Sequence, residues 1–179
     1  IMGNIMPPYL DNTPFADDEF RTWARDGDLI VSASASSGAN WMAYCAHQVR
    51  TKAKGDTATD YTDVLLDTPW VGFRMLPGQT WAEIKEMMNT TILPDGSRVK
   101  DYWDKSSFPF RIFMSHFAPP VAPVSKHRGV KFLAMVRNGM DAVKSVYPKF
   151  AAHRPAFKRL WGGFPPTYES PLACLQDFL

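Results

Sequence analysis

The chain has 179 residues, of which 45% are hydrophobic and 13% aromatic, so it is long and apolar enough to bury one substantial core. Its 20 basic and 18 acidic residues leave a net charge of +2, and this balance, without a long basic run, argues against a nucleic-acid partner. No apolar stretch reaches the length of a membrane span, and the first ten residues lack the features of a signal peptide. We therefore expect one domain over residues 1–179, in a cytoplasmic protein without a membrane partner.

The first part of the chain predicts an arm, a strand and a helix. Residues 1–27 are rich in Pro, Asp and Asn and predict an irregular arm laid over the body. Residues 28–33 are apolar and β-prone, which indicates a buried strand. A helix is predicted over residues 40–50, with His47, Gln48 and Arg50 off its apolar face. The predicted inner face of this helix comprises Trp41, Met42, Cys45 and Val49.

The middle of the chain predicts a second helix and a turn. Thr80 and Glu83 have the spacing of a capping box and open a helix. This helix should bury Trp81, Ile84 and Met88, which lie on one side of it. Residues 93–98, "LPDGSR", predict a turn.

Two further strands are predicted, over residues 110–115 and 131–136, and each is followed by a polar residue. Asn138 is predicted to cap the helix after the last strand. The predicted inner face of that helix comprises Met140, Val143 and Tyr147. Strands that alternate with helices indicate an α/β fold, with a three-layer parallel sheet flanked by helices, in which ligands bind at the carboxyl ends of the strands.

Three places carry residues suited to chemistry, and each also has a structural interpretation. The small-residue loop "SASASSGANW" (32–41) is suited to phosphate because backbone N–H groups converge there, but it is also an ordinary strand–helix turn. His116 follows a strand, where an imidazole can take a proton near neutral pH or simply make a structural hydrogen bond. Arg137 and Ser145 suit an anion, or else a salt bridge to Asp141 and a serine tolerated in a helix.

In this order and spacing, the three segments resemble the signatures of the cytosolic-type sulfotransferase family. That family moves a sulfuryl group from 3′-phosphoadenosine 5′-phosphosulfate (PAPS) to an acceptor hydroxyl or amine. Here "ASASSGANW" (33–41) resembles the family's T-Y-P-K-S-G-T-T-W, and "FRIFMSHFAPP" (110–120) resembles P-R-I-x-K-T-H-L-P. "RNGMDAVKSVY" (137–147) resembles R-N-P-K-D-x-x-x-S-x-Y, and the whole resemblance covers residues 14–150.

The resemblance implies a P-loop-like sulfotransferase fold, PAPS as the sulfuryl donor and a role for each matching residue. His116 would be the general base, and Arg137 and Ser145 would hold the 3′-phosphate. The segment "TPWVGF" (68–73) resembles a part of the family that contributes to the acceptor pocket. We expect Trp70, Phe73 and Phe117 to line that pocket and to favour a small hydrophobic or aromatic acceptor. The loop residues expected to bind the 5′-phosphosulfate and the adenine are Ser36, Ser37, Gly38, Ala39, Asn40 and Trp41.

The sequence departs from the family at two cations and at its end. Ser36 stands where the family has its loop lysine, and Met114 stands where it has a second lysine before the histidine. The family's basic C-terminal segment is not found before Leu179. We expect a domain that is incomplete at this end, a second chain that completes the site, or a protein that has lost the segment.

Two alternatives to a sulfotransferase follow from the same residues. One is a catalytically weak or inactive relative that binds the nucleotide as a partner subunit. The other is a nucleotide kinase or ATPase, which is disfavoured because the loop lacks the G-x-x-x-x-G-K-[ST] lysine. Cys45 and Cys174 form no metal motif, so no metal is expected.

Overall fold

The protein is an α/β structure built on a small parallel sheet. The structure, a computed structural model, describes residues 7–10, 24–52, 61, 64–70, 72–104, 108–117 and 129–178. The strands are β1 (Leu29–Ala33), β2 (Ile112–Ser115) and β3 (Lys131–Met135), in the order β2-β1-β3. Because β1 runs parallel to both neighbours, the carboxyl ends of all three strands lie at one edge of the sheet. The three predicted strands and their parallel arrangement are confirmed.

Helices follow β1 and β3 and also make up most of the C-terminal part of the chain. Within the described ranges they are α1 (Ala39–Thr51), α2 (Val64–Asp67), α3 (Trp81–Thr90), α4 (Val99–Asp104), α5 (Gly139–Ala152), α6 (Pro155–Leu160) and α7 (Pro171–Phe178). Helix α7 packs against α5. The sequence pattern predicted none of the helices after residue 152.

The side chains of the sheet alternate between two packed faces, as the two-residue period of a strand requires. Val31 of β1 packs in one buried cluster with Ala46 of α1. Ile30, its neighbour, packs on the other face with Ile84 of α3 and Phe113 of β2. Helices therefore cover both faces of the sheet, as predicted.

Helix α1 buries a different face from the one that the sequence predicts. Trp41 and Val49 are 67% and 70% exposed, so their assignment to the inner face is wrong. Small alanines let the helix approach the sheet closely. His47 and Arg50 can be buried together because their polar groups hydrogen bond to each other, with Arg50 Nη2 2.9 Å from His47 Nδ1. The buried residues of α1 are Ala39, Ala43, Ala46, His47 and Arg50.

Helix α5 begins as predicted, but its buried face is shifted. The Asn138 side chain accepts hydrogen bonds from the backbone N–H groups of Met140 (3.0 Å) and Asp141 (3.4 Å), which confirms the predicted cap. Val143 and Val146 are buried. Met140 is 51% exposed because it lies in the first turn, at an uncovered helix end, so its assignment to the inner face is wrong.

The predictions for the middle of the chain are confirmed in detail. Thr80 caps α3 in a capping box with Glu83, whose pKa is lowered by hydrogen bonds from the Thr80 backbone and side chain. The three residues predicted to face inward from α3 are its buried residues. Of the predicted arm, residues 7–10 and 24–27 are described, and Leu10 is buried beside Phe73, with which it forms an antiparallel bridge. The rest of the arm lies outside the described residues.

Candidate functional site

Three sequence segments meet at the carboxyl edge of the sheet. A loop of residues 34–38 follows β1, His116 follows β2, and Arg137 follows β3 after one intervening residue. His116 hydrogen bonds to the backbone of Ala33, which leads into the loop, and Arg137 hydrogen bonds to the backbone of Ser36 within it. The structure therefore brings His116 and Arg137 to the predicted loop, whereas among the described residues it shows no hydrogen bond between Ser145 and that loop.

The loop of residues 34–38, called here the small-residue loop, is held in a tight turn. Ser37 N–H donates to the Ser34 carbonyl oxygen at 3.1 Å, and the two side-chain hydroxyls lie 2.6 Å apart. Ser36 and Gly38 have left-handed backbone conformations, with φ of 58° and 92°. Gly38 is the N-cap of α1 and supplies no side-chain cap, and the first turn of α1 contains no acidic residue. The N-terminus of a thirteen-residue helix with no acidic residue in its first turn is electrostatically suited to an anion.

Two basic side chains contact Ser36 from the segment that follows β3. Arg137 Nη1 donates to the Ser36 carbonyl oxygen at 2.8 Å. Lys149, near the C-terminal end of α5, donates from Nζ to Ser36 Oγ, also at 2.8 Å. The loop itself has no charged residue, yet two positive charges from outside it converge on one of its residues.

Sequence reasoning missed Lys149, although the spacing contains a signal for it. Ser145 was expected to face the bound nucleotide, and Lys149 lies four residues further along the same helix. Residues at this spacing share one helix face, so if Ser145 faces the loop, Lys149 faces it as well. The contact of Lys149 with Ser36 shows that this face of α5 is turned toward the small-residue loop.

His116 is held in a defined tautomer beside an aromatic ring. Its Nδ1 lies 2.5 Å from the Ala33 carbonyl oxygen, and since a carbonyl oxygen only accepts, Nδ1 carries the proton. The lone pair of the neutral ring is therefore on Nε2. Burial lowers the pKa of His116 below its ordinary value, and the hydrogen bond to Ala33 opposes this shift. The lowered pKa favours the neutral ring, whose Nε2 is able to accept a proton.

Of the three predicted pocket residues, Trp70 packs against His116, Phe73 lies next to Trp70, and Phe117 lies in the core. The Trp70 ring packs edge-on against His116 with 4.4 Å between ring centroids, and Phe73 lies 6.0 Å from Trp70. Phe117 is 4% exposed and packs in the cluster that includes Ile30 and Phe113. Its carbonyl oxygen accepts a hydrogen bond from Ser32, so it fixes the chain after β2. A role for Phe117 in a pocket stays a prediction.

The remaining predicted binding residues lie at the start of α1 or on α5. Ala39 is buried against the sheet, whereas Asn40 is exposed and Trp41 presents two thirds of its surface to solvent. Trp41 is thus accessible to a planar ligand. Met114, at the position of the family's second lysine, is fully buried in β2, where it packs with Ala43.

Comparisons with known proteins do not assign the chain to a family. No protein-family model matches the chain, and no curated protein matches it significantly. None of the helices in the described ranges has the length and apolar character needed to cross a membrane. Across those same ranges, no three His, Cys, Asp or Glu side chains cluster as metal ligands would.

Proposed function

We propose that the protein is a PAPS-dependent sulfotransferase with the P-loop-like fold of that family. The observation that carries the proposal is the convergence on one loop of the three segments that resemble the family's signatures. His116 reaches the start of the small-residue loop and Arg137 reaches its middle. Parallel strands by themselves bring residues at their carboxyl ends to one edge of the sheet. The support for a nucleotide site is that the side chains found there are an imidazole and a guanidinium, which hydrogen bond to one short stretch at Ala33 and Ser36.

The groups at this edge of the sheet fit an anionic nucleotide. The N-terminus of α1 and the loop N–H groups suit a 5′-phosphosulfate, and Arg137 keeps donors beyond the one bonded to Ser36. In this proposal Ser145, on the face of α5 that carries Lys149, joins Arg137 in holding the 3′-phosphate. Trp41 offers an exposed indole face for the adenine.

His116 performs the proton transfer in this proposal. Its Nε2 takes the proton of the acceptor hydroxyl or amine as the acceptor atom bonds to sulfur. The bond between sulfur and the bridging oxygen breaks, and its electron pair leaves on the 5′-phosphate of adenosine 3′,5′-bisphosphate. Trp70 packs against the base, so a small aromatic or hydrophobic acceptor suits the neighbouring wall.

A nucleotide-binding relative without transfer activity is the second candidate. The observation that favours it is the replacement of both family lysines, by Ser36 in the loop and by the buried Met114. Both candidates require the same donor site, so nucleotide binding tests the class, and turnover of PAPS with a panel of phenols separates the two.

Arg137→Ala should weaken the binding of adenosine 3′,5′-bisphosphate by more than about 1.5 kcal/mol, which is somewhat over tenfold in Kd. The loss follows because a charged hydrogen bond to the 3′-phosphate disappears. Adenosine 5′-monophosphate, which lacks that phosphate, should lose much less. Isothermal titration calorimetry with both nucleotides measures the difference.

The exposed Arg159 on α6 supplies the matched control, because Arg159→Ala removes the same charge outside the three segments. This variant should bind both nucleotides as the wild type does. Equal losses for the two nucleotides in Arg137→Ala would mean that Arg137 only braces the loop through Ser36. No binding of adenosine 3′,5′-bisphosphate to the wild type would exclude the proposed function.

A further inference from the structure

The contact between Lys149 and Ser36 places a positive charge where the loop sequence has none. The Lys149 ammonium lies 2.8 Å from Ser36 Oγ, although 113 residues separate the two in the chain. Ser36 is also the residue that stands at the position of the family's loop lysine. Its left-handed backbone, with φ of 58°, lies within the turn that leads into α1.

We infer that Lys149 supplies from α5 the charge that the small-residue loop lacks, and that it binds the 5′-phosphosulfate of the donor. This inference rests on the proposed function. An ammonium has three donors and the bond to Ser36 uses one, so two can reach an anion seated on the loop. In the proposed function Arg137 serves a different end of the ligand, because its proposed partner is the 3′-phosphate.

The role of Lys149 in the reaction follows from where negative charge develops. As the bond from sulfur to the bridging oxygen breaks, the electron pair moves onto that oxygen, and a Lys149 N–H donates a hydrogen bond to it. No proton needs to leave Lys149, because the leaving bisphosphate is a stable anion. A contact that strengthens as charge accumulates lowers the barrier more than it tightens ground-state binding.

Lys149→Met should raise the Kd for adenosine 3′,5′-bisphosphate by about 10-fold or more, as expected for loss of a charged hydrogen bond. The Kd for adenosine 3′-monophosphate should not change, because that nucleotide has no 5′-phosphate. Turnover of PAPS should fall by about 10²-fold in kcat. Lys149→Arg, which keeps the charge, should recover part of both losses.

Lys144→Met is the matched control, because Lys144 is an exposed lysine five residues earlier on the same helix. Five residues correspond to about 140° around a helix axis, so Lys144 points away from the face that carries Lys149. Its removal should leave both nucleotide affinities and kcat unchanged. A Lys149→Met variant that behaves like Lys144→Met, in a protein whose wild type binds the bisphosphate, would overturn this inference and leave the proposed function standing.

Placing a lysine at position 36 tests whether a positive charge at this position, and not Lys149 itself, is what the reaction needs. In the Lys149→Met background, Ser36→Lys should raise kcat by about 10-fold or more, because it returns the charge to the loop. In the wild type, Ser36→Lys should raise kcat much less, because the new ammonium would lie next to that of Lys149. An equal gain in kcat in both backgrounds would show that the Lys149 ammonium does not act at the position of Ser36. A wild type that binds neither PAPS nor the bisphosphate would overturn the proposed function and this inference together.

Discussion

Arg111→Ala should lower the free energy of unfolding by about 3–5 kcal/mol, the cost of leaving a buried charge without its partner. Arg111 and Asp28 form a two-point ion pair, with Nε to Oδ1 at 3.0 Å and Nη2 to Oδ2 at 2.6 Å. Their side chains are 6% and 3% exposed, so Arg111→Ala leaves the Asp28 carboxylate buried without its ion-pair partner. Urea denaturation followed by circular dichroism measures the change.

A double variant measures the interaction between Arg111 and Asp28 separately from the contacts that each makes with other residues. Arg111→Met with Asp28→Asn removes both charges while keeping much of the side-chain volume, and it should cost clearly less than the sum of the two single variants. Asp28 also accepts a hydrogen bond from the backbone N–H of Arg25, which the asparagine oxygen can keep. Additive losses in this cycle would mean that the two charges stabilise the fold independently.

The register of the sheet explains why this pair exists and how far a sequence can reveal it. Leu29 lies opposite Ile112, so the residues just before them, Asp28 and Arg111, face each other at the amino edge of the sheet. An acidic and a basic residue that each precede a buried strand are visible in the sequence. Which strands are neighbours is not visible, because pairing depends on the packing of the whole sheet.

The local elements could be predicted because their signals are local. The capping box at Thr80 and the Asn138 cap depend only on residues within one helical turn. The buried face of α1 could not be found in this way. Hydrophobicity favoured Trp41, whereas the helix turns its alanines and the His47–Arg50 pair toward the sheet, where close approach matters more than apolar area.

The candidate site was predictable in the parts that lie at strand ends. His116 and Arg137 each follow a short apolar run, and parallel strands bring such residues to a single edge. Lys149 was missed because it reaches the loop from near the far end of a helix, by a long side chain. Sequence spacing gives its helix face, but only the tertiary placement of α5 brings its ammonium to Ser36.

The largest functional effect is expected at His116. His116→Asn should lower kcat for sulfuryl transfer by about 10²–10⁴-fold, the range for loss of a general base. Asparagine can still donate a hydrogen bond to the Ala33 carbonyl oxygen, in place of Nδ1, but it cannot take a proton from the acceptor. The affinity for adenosine 3′,5′-bisphosphate should stay within about twofold of the wild type, because the base acts on the acceptor and not on the donor.

The pH dependence of the wild type provides an independent test of the same residue. Burial lowers the pKa of His116, so its neutral form persists to a lower pH than that of an ordinary histidine. The value of kcat/KM should therefore stay level as the pH falls to the ordinary histidine pKa, and it should decline only below it as Nε2 becomes protonated. His116→Asn should lose this decline along with most of the rate. A descending limb at or above the ordinary histidine pKa, or one that survives in the variant, would assign proton transfer to another group and return His116 to a structural role.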